Sequence, residues 1–356
     1  MNMSNNIILP GLIDVHTHLR TPGQTQKEDF LTGTSAAAAG GFTTIIDMPN
    51  NSVPITSLSL LNEKMEIAKT QSIVNIGFHF GSLGNNLHEF EKVKDKVFGL
   101  KLYLNETTGN FLINSEELQN IYDAWPINAG PILVHAEDDA ISEVIKNVRQ
   151  TKKSTHFCHI SLSSDLEQII KAKEIGLPIT CGVTPHHLFL SQENAKKLGG
   201  FGKMKPYLKS QHDVEFLWKN LHSIDVIESD HAPHTKEEKE GDNPPFGVPG
   251  LETTLPLLLT AVNQDRLTID DIKRLCYESP KKIFSIPNIN SEVEIDMNEK
   301  YEINNEKLFT KCKWSPFNGW LMQGRIKKVV IESNTVFENG KILADPGSGR
   351  VIQPAL

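Results

Sequence analysis

The sequence predicts a (β/α)8 TIM barrel with a small C-terminal β appendage, and three observations support this fold. Eight short apolar, β-branched runs recur between residues 12 and 230, and stretches with helical periodicity separate them. Strands that alternate with helices form right-handed βαβ units, and eight consecutive units are typical of a closed parallel barrel. From about Pro287 the sequence changes to short strand-like runs with turn residues between or after them. We therefore assign residues 9–286 to the barrel and residues 287–356 to the β appendage and tail.

Each predicted strand is a short apolar run that turn or polar residues bound. In order, these runs are Leu12–His18, Phe42–Met48, Val74–Phe80, Gly99–Leu104, Pro131–Ala136, Thr155–Ile160, Pro178–Val183 and Asp225–Asp230. The predicted helices are Lys27–Ala39, Ser57–Lys69, Leu87–Lys96, Ser115–Ala124, Asp139–Thr151, Ser164–Ile175, Gln192–Leu198, Ser210–His222, Leu251–Asn263 and Thr268–Ile283. Cap-type residues followed by acids, as at Ser115 and Ser164, mark helix starts. The segment before the first strand looks too short to supply much of the appendage, and we expect the final residues to form a loose tail.

Composition excludes several classes of function. The 356 residues include 38% hydrophobic and 22% charged side chains, which is ordinary for a globular enzyme. The net charge of -8, with no long basic run, argues against nucleic acid and anionic membranes as partners. The four cysteines are scattered without a C-x-x-C pair, and no secretion signal or membrane-spanning run is visible. We therefore expect a reduced, cytoplasmic protein.

Residues that could bind a metal fall at the ends of the predicted strands. His16 and His18 are two residues apart in the first strand, so their side chains share one face. This H-x-H pair is a weak signal alone. His135, His159 and Asp230 end the fifth, sixth and eighth strands. The strand ends of a barrel meet at one mouth, so four histidines and an aspartate could hold two divalent metals there with a reactive water.

Each of these residues also has a simpler structural interpretation. His135 and His159 could be hydrogen-bonded core histidines, and Asp230 could cap the turn that follows it. Cys158 is a small buried hydrophobe more often than a ligand. The joint pattern favours the metal site, because so many ligand-type residues at strand ends would be an unusual coincidence.

Lys101 lies within the fourth strand, where both faces of a parallel barrel are covered. Burial disfavours an ammonium group and leaves a nucleophilic amine. Such an amine can add CO2 to become a carbamate, which is an anionic oxygen ligand able to bridge two metals. The alternative is a lysine that extends to the barrel rim.

These residues together resemble the amidohydrolase superfamily. Longer segments resemble dihydroorotase, most closely the dihydroorotase domain of multifunctional pyrimidine-synthesis proteins. They are Leu9–Arg20, Met48-Pro49-Asn50, Gly99–Thr107, Val134-His135-Ala136-Glu137, Pro185-His186-His187-Leu188-Phe189, Ser229–Thr235 and Pro249–Thr253. The similarity runs from about Leu9 to Phe284 and returns more weakly at Trp314–Val330.

The resemblance implies a binuclear zinc centre. His16 and His18 would bind one Zn²⁺, and His135 and His159 the other. Carboxylated Lys101 and a hydroxide would bridge the two ions, and Asp230 would bind the first zinc. The hydroxide would attack the ring amide carbon of dihydroorotate, with Asp230 as the catalytic proton carrier. The physiological direction would be closure of N-carbamoyl-L-aspartate in de novo pyrimidine synthesis.

The resemblance also implies a substrate site, with two departures from the family pattern. Arg20, Asn50 and His234 would bind the substrate carboxylate, Thr107 would reach in from a mobile loop, and backbone around Phe246 would contact the amide edge of the ring. Lys205 stands where the animal-type domain has an arginine, so it keeps the charge without the planar fork. Gly182 replaces a glutamate that joins Cys158 at an extra zinc in multifunctional-protein domains, so we predict two metals rather than three.

Two other functions remain open. The first is another cyclic amidase, such as allantoinase, hydantoinase or dihydropyrimidinase, although hydantoins and dihydrouracil have no carboxylate for Arg20 and Asn50 to bind. The second is a non-catalytic dihydroorotase-like scaffold for aspartate transcarbamoylase, which we expect to have lost ligands that this chain retains. The resemblance further implies a homodimer that could associate with aspartate transcarbamoylase.

Overall fold

The computed structural model describes residues 6–106 and 112–355. Its strands are β1 (Asn6–Pro10), β2 (Leu12–Thr17), β3 (Phe42–Asp47), β4 (Asn75–Phe78), β5 (Phe80–Gly81), β6 (Leu100–Tyr103), β7 (Ile132–His135), β8 (Thr155–Phe157), β9 (Ile179–Val183), β10 (Val226–Ile227), β11 (Ser291–Glu302), β12 (Leu321–Ile331), β13 (Asn334–Glu338) and β14 (Lys341–Ile342). Its α-helices are α1 (Phe30–Ala39), α2 (Leu58–Gln71), α3 (Phe90–Val93), α4 (Ser115–Ala124), α5 (Asp139–Thr151), α6 (Ser163–Glu174), α7 (Pro185–Phe189), α8 (Gln192–Leu198), α9 (Gln211–Lys219), α10 (Lys236–Glu240), α11 (Leu251–Asn263), α12 (Ile269–Lys273) and α13 (Ser279–Ile283).

The strands β2 to β10 form the parallel barrel that the sequence predicts. Parallel pairing runs through β2, β3 and β4, and then from β5 through to β10. The third predicted run appears as β4 and β5, and the amide of Phe98 continues the ladder by donating to the carbonyl of Phe78 at 2.9 Å. A parallel bridge between Thr17 and His231 joins the first strand region to the last. The predicted fold class is therefore confirmed.

The barrel strands are buried on both faces because helices cover the outside of the sheet. All six residues of β2 and all six of β3 are buried. Several helices start at a side-chain cap, although the predicted cap residues Ser115 and Ser164 lie inside α4 and α6. At α4, for example, the side chain of Asn114 accepts from the amide of Glu117, and the Glu117 carboxylate accepts from the amide of Asn114.

A five-stranded antiparallel sheet, in the order β1-β11-β12-β13-β14, packs beside the barrel. The residue pairs from Asn6–Asp296 to Pro10–Glu292 align β1 with β11. The N-terminal segment, which looked too short from sequence, therefore supplies one strand of this sheet. Gly324 in β12 has φ 103°, and a Cβ there would lie 2.7 Å from Leu259 of α11, so glycine permits close packing of sheet and helix.

The C-terminal segment is hydrogen-bonded to the barrel. The amide of Ile76 donates to Arg350 and the amide of Ile352 donates to Ile76, both at 2.8 Å. The amide of Gly349 donates to Ser72 at 2.9 Å. The expectation of a loose tail was wrong, because these residues lie along β4 and pair with its backbone. Within residues 6–106 and 112–355, no helix is long and apolar enough to cross a membrane.

Candidate metal centre and active site

The strand ends meet in a cleft at the carboxyl end of the barrel. Its lining contains most of the residues that the sequence singles out, namely His16, His18, Arg20, Asn50, Tyr103, His135, His159, Lys205, Asp230, Ala232, Phe246 and Gly247. Three of these residues other than glycine have a left-handed backbone, with φ 62° at Arg20, φ 37° at His159 and φ 44° at Asp230. Left-handed conformations are costly for residues with side chains and cluster at functional sites, where surrounding structure holds them.

His16, His18 and Asp230 form the tightest group of potential ligands. Asp230 Oδ1 lies 3.0 Å from His18 Nε2 and 3.4 Å from His16 Nε2. Ligands bonded to zinc at 2.0–2.1 Å in a tetrahedron are about 3.3 Å from one another. The three side chains are buried, and their ligand atoms lie within 4.8 Å of one another. This group therefore fits a divalent metal ion.

His135 and His159 form a second group beside the first. Their nitrogens Nδ1 and Nε2 are 3.1 Å apart, and the ring of His159 lies 5.1 Å from that of His16. Among the residues that the structure describes, His159 Nδ1 has no hydrogen-bond partner, although it is buried. Buried imidazoles that face each other without a carboxylate between them are suited to sharing a cation.

Protonation in this cleft favours metal binding, which requires neutral imidazoles and an ionised carboxylate. Burial lowers the pKa of His18 to about 4, and it also lowers the pKa of His135 and holds that of His159 well below its usual range. Burial alone would raise the pKa of Asp230. The contact with His16 and the hydrogen bond from His18 outweigh burial and lower that pKa. The aspartate is therefore ionised at neutral pH.

Lys101 lies beneath the cleft with its side chain fully buried. Its Nζ donates to Cys158 Sγ at 3.1 Å and lies 4.9 Å from the centre of the Tyr103 ring. Cys158 directly precedes His159, so the amine lies next to the second group of potential ligands. The structure excludes the interpretation of a lysine that extends to the solvent. Burial raises the pKa of the Cys158 thiol to about 12, so Cys158 is a neutral neighbour.

Arg20 and Asn50 line the cleft, and His234 lies behind Arg20. Arg20 is 4% exposed, its Nε donates to the carbonyl of Pro233 at 3.2 Å, and its Nη2 lies 3.2 Å from His234 Nε2. Asn50 Oδ1 is 2.6 Å from His18 Nδ1, so its amide nitrogen is the part that could donate to a carboxylate. His234 is fully buried behind Arg20, and burial and the charge of Arg20 lower its pKa.

The other predicted substrate-binding residues are Lys205, Phe246 and Thr107. Lys205 Nζ lies 4.2 Å from the Tyr207 ring and 5.7 Å from the Phe246 ring, at the edge of the cleft. The carbonyl of Phe246 is 2.9 Å from His234 Nε2, so it already has a partner on this side. Thr107 lies outside the described residues.

Sequence reasoning missed two buried carboxylates of this site. Asp47 binds the amide of Leu19 and pairs with Lys64. Glu228 lies two residues before Asp230 and next to Gly182, and it fills the space where the family glutamate was expected. The available signal for Glu228 was an acidic residue inside an otherwise apolar predicted strand, in Val226–Ser229. His16, Cys158 and Glu228 also lie within 4.8 Å of one another, so the number of metals stays a prediction.

Comparisons with known proteins agree with this geometry. The amidohydrolase family model matches residues 7–177. The multifunctional protein CAD of Squalus acanthias is 40% identical over 99% of this chain, which spans only 16% of that relative. The dihydroorotase of Pyrococcus horikoshii is 35% identical, and the alignment covers 98% of this chain and 85% of the relative. The chain belongs to the dihydroorotase family. The amidohydrolase family is metal-dependent, which agrees with the group of His16, His18 and Asp230.

The fold of this dihydroorotase-family protein is also similar to that of an enzyme that is not a dihydroorotase. The L-hydantoinase (dihydropyrimidinase) from Arthrobacter aurescens superposes with a TM-score of 0.94 at 25% identity. The superposition covers 98% of this chain and 89% of the hydantoinase. The shared barrel therefore does not by itself determine the cyclic amide, and the residues of the cleft have to do so.

Proposed function

We propose that this protein is a dihydroorotase that closes N-carbamoyl-L-aspartate to dihydroorotate and reopens the ring. The observation that carries the proposal is the nearly buried guanidinium of Arg20 beside a His/Asp metal-type cluster, in the same cleft as Asn50. The planar guanidinium of an arginine can donate two parallel N–H hydrogen bonds to the two oxygens of a carboxylate. Both the carbamoyl and the cyclic substrate have such a carboxylate at a fixed distance from the reacting carbon.

We further propose that the cleft holds two Zn²⁺ ions. The residues that would hold them are His16 and His18 with Asp230 on one side, and His135 with His159 on the other. Lys101, buried beneath both groups, would be carboxylated and bridge them. Zinc supplies a hydroxide at neutral pH by lowering the pKa of a bound water toward about 7.

The protein's own residues would orient the substrate and move one proton. Arg20, with Asn50 and His234, would hold the carboxylate and so present the ring amide to the metal side of the cleft. Asp230 Oδ1 faces His16 and His18. The other oxygen, Oδ2, would accept the proton of the attacking water during ring opening and deliver it to the departing ring nitrogen, with the reverse transfer in ring closure. Lys205 and the backbone at Phe246 would contact the rest of the ring, and Thr107 would close over it.

Organisation and partners belong to the same proposal. The barrel of residues 9–286 would carry the catalysis, with residues 287–356 as the appendage and tail. The similarity to a multifunctional relative supports association with a second pyrimidine enzyme, aspartate transcarbamoylase, and a homodimer. The four cysteines are all free and buried, which supports a reducing compartment such as the cytoplasm.

The second candidate is hydrolysis of a cyclic amide without a carboxylate, and the fit to a hydantoinase favours it. The two candidates differ in what Arg20 contributes. A dihydrouracil or a hydantoin gives the guanidinium no anion to bind, so the burial of Arg20 would be an unused cost. A non-catalytic scaffold is disfavoured, because Lys101, Asp230 and all four histidines are retained.

The test is an assay of zinc-loaded protein on dihydroorotate, dihydrouracil and allantoin. We expect turnover of dihydroorotate to dominate. Arg20→Met should lower kcat/KM for dihydroorotate about 10- to 150-fold, the equivalent of about 1.5–3 kcal/mol for a hydrogen bond to a charged group, while zinc content is retained. The matched control is Arg266→Met, which removes an exposed guanidinium on the outer surface. Equal turnover of dihydrouracil would contradict the proposal, and so would an Arg20→Met enzyme with unchanged kcat/KM.

A further inference from the structure

Glu228 is a fully buried carboxylate at the base of the candidate metal centre, and the proposed reaction does not use it. Its Oε1 accepts from the backbone amide of His159 at 2.5 Å. Its Oε2 lies 3.4 Å from His16 Nδ1 and 3.5 Å from His156 Nε2. One carboxylate therefore contacts the ring of one proposed metal ligand and the backbone of another, from the side opposite the cleft.

The two nitrogens of His16 face two different acids. Nε2 points toward Asp230 in the cleft, and Nδ1 points toward Glu228 below it, each at 3.4 Å. With a metal ion on the Nε2 side, a carboxylate at Nδ1 favours the tautomer that carries its proton on Nδ1 and directs the lone pair of Nε2 into the cleft. Because burial excludes water from this position, Glu228 is the group available to set the orientation of the ring.

His159 depends on the same carboxylate through its main chain. Its φ of 37° is a strained conformation for a residue with a side chain, and the Glu228 bond to its amide holds that conformation.

Gly182 provides the space for this carboxylate. A Cβ at Gly182 would lie 2.6 Å from Glu228 Oε1 and 3.1 Å from His156 Nε2. The first distance is shorter than any normal contact, so even alanine would displace the carboxylate. The glycine on β9 and the glutamate after β10 therefore form one arrangement.

We propose that Glu228 is a positioning residue for the metal centre, which fixes the ring of His16 through Nδ1 and the backbone of His159 through its amide. This inference rests on the proposed function only in taking these histidines as metal ligands. Partners that hydrogen-bond to metal-binding histidines orient the ligand and raise its basicity, and their loss costs about 10- to 100-fold in metal affinity or activity.

The experiment measures zinc binding to metal-free protein without substrate, by competition with a chelating indicator and by metal analysis after dialysis. We expect Glu228→Gln to bind the same number of ions as wild type with about 10- to 100-fold weaker affinity. Gly182→Ala keeps the charge but displaces the carboxylate, so its affinity should change in the same direction. The matched control is Asp213→Asn, since Asp213 is another buried carboxylate that accepts a backbone amide, on α9 at the outside of the barrel.

A second measurement needs no variant. Nitrogen NMR of histidine-labelled, zinc-loaded wild-type protein should show His16 with its proton on Nδ1. A proton on Nε2 would overturn the inference, as would Glu228→Gln with wild-type affinity. Loss of one whole equivalent of zinc in Glu228→Gln, with the other equivalents unaffected, would also overturn it, because Glu228 would then be a ligand of a further ion. If zinc affinity weakens as expected but dihydroorotate is not turned over, the proposed function fails and the positioning role stands.

Discussion

Asp47 and Lys64 form a buried ion pair directly behind the segment that carries His18 and Arg20. Lys64 Nζ lies 2.7 Å from Asp47 Oδ2, and each side chain is 1% exposed. Asp47 Oδ1 accepts from the amide of Leu19 at 2.7 Å, between the two cleft residues. The pair therefore supports the segment that carries His18 and Arg20. Removing either member would leave the other charge buried and unpaired, which strongly destabilises a protein.

Lys64→Met should therefore destabilise the protein strongly, because it leaves the Asp47 charge buried and unpaired. We expect a loss of about 3–5 kcal/mol in the free energy of unfolding, measured by denaturant titration. Lys69→Met is the control on the same helix, since Lys69 is exposed and its ion pair with Glu66 contributes about 0.5 kcal/mol or less. Equal effects of the two variants would show that the buried pair has no special role.

Asp230→Asn should abolish most turnover while most of the metal stays bound. The amide cannot accept the proton that the proposed transfer requires, and general acid–base catalysis contributes about 10²- to 10⁴-fold. Turnover of dihydroorotate and zinc content should be measured on the same preparation. Asp225→Asn is the control, because Asp225 lies at the opposite end of the same strand, where it pairs with Lys173. Retained activity would remove Asp230 from proton transfer.

At the scale of elements, the segment before β12 joins the appendage to the barrel mouth. The carboxylate of Glu252, in the first turn of α11, accepts from the amides of Phe309 and Thr310 at 2.8 and 2.9 Å. Farther along the segment, Trp314 Nε1 donates to the carbonyl of His234 at 2.7 Å. The appendage therefore contacts the backbone of a proposed substrate residue.

The junction at Glu252 should respond to pH. Burial raises the pKa of Glu252 from 4.5 to about 7 in the folded protein. Between pH 4.5 and 7 the folded state then holds a proton that the unfolded state has released, so stability falls as the pH rises through this window. Glu252→Gln should remove that loss. The free energy of unfolding of the variant minus that of wild type should therefore be larger at pH 8 than at pH 4, by up to about 3 kcal/mol. Unfolding curves at both pH values check this.

The control for Glu252→Gln is Glu306→Gln, which removes an exposed carboxylate from the same connecting region. If the stability difference between Glu252→Gln and wild type is the same at pH 4 and pH 8, the carboxyl does not titrate in this window, and the burial argument for it is wrong.

The sequence predicted elements well where one physical signal dominated. Apolar runs and helix caps located all eight barrel strands, since each run is buried on both faces. Helices such as α7 and α10, of five residues each, are too short to show an apolar periodicity, so they were missed. The strand β1 was missed because five residues carry too little pattern. Glu228 was missed because a glutamate in a buried run shows no sign of its partner, and only the fold brings His16 and Gly182 beside it.

At the scale of the whole molecule, metal should contribute to stability as well as to chemistry. A ligand that binds only the folded state stabilises it by about 2.7 kcal/mol at a hundredfold excess over its Kd. We therefore expect the Tm of zinc-loaded protein to exceed that of chelator-treated protein by several degrees, as calorimetry can measure, and re-addition of zinc should restore it. An unchanged Tm after verified metal removal would contradict the metal centre as described.

The bridge between Thr17 and His231 closes the barrel. His16 and His18 lie on one side of this bridge and Asp230 on the other. His18 and Asp230 are separated by 212 positions in the chain. A cation held there would connect the first and the last strand regions of the barrel, so the barrel could not open at this point without releasing the cation. The amide of His18 donates to His231 at 2.8 Å, and its hydrogen-exchange rate with and without metal would report whether the cation slows this opening.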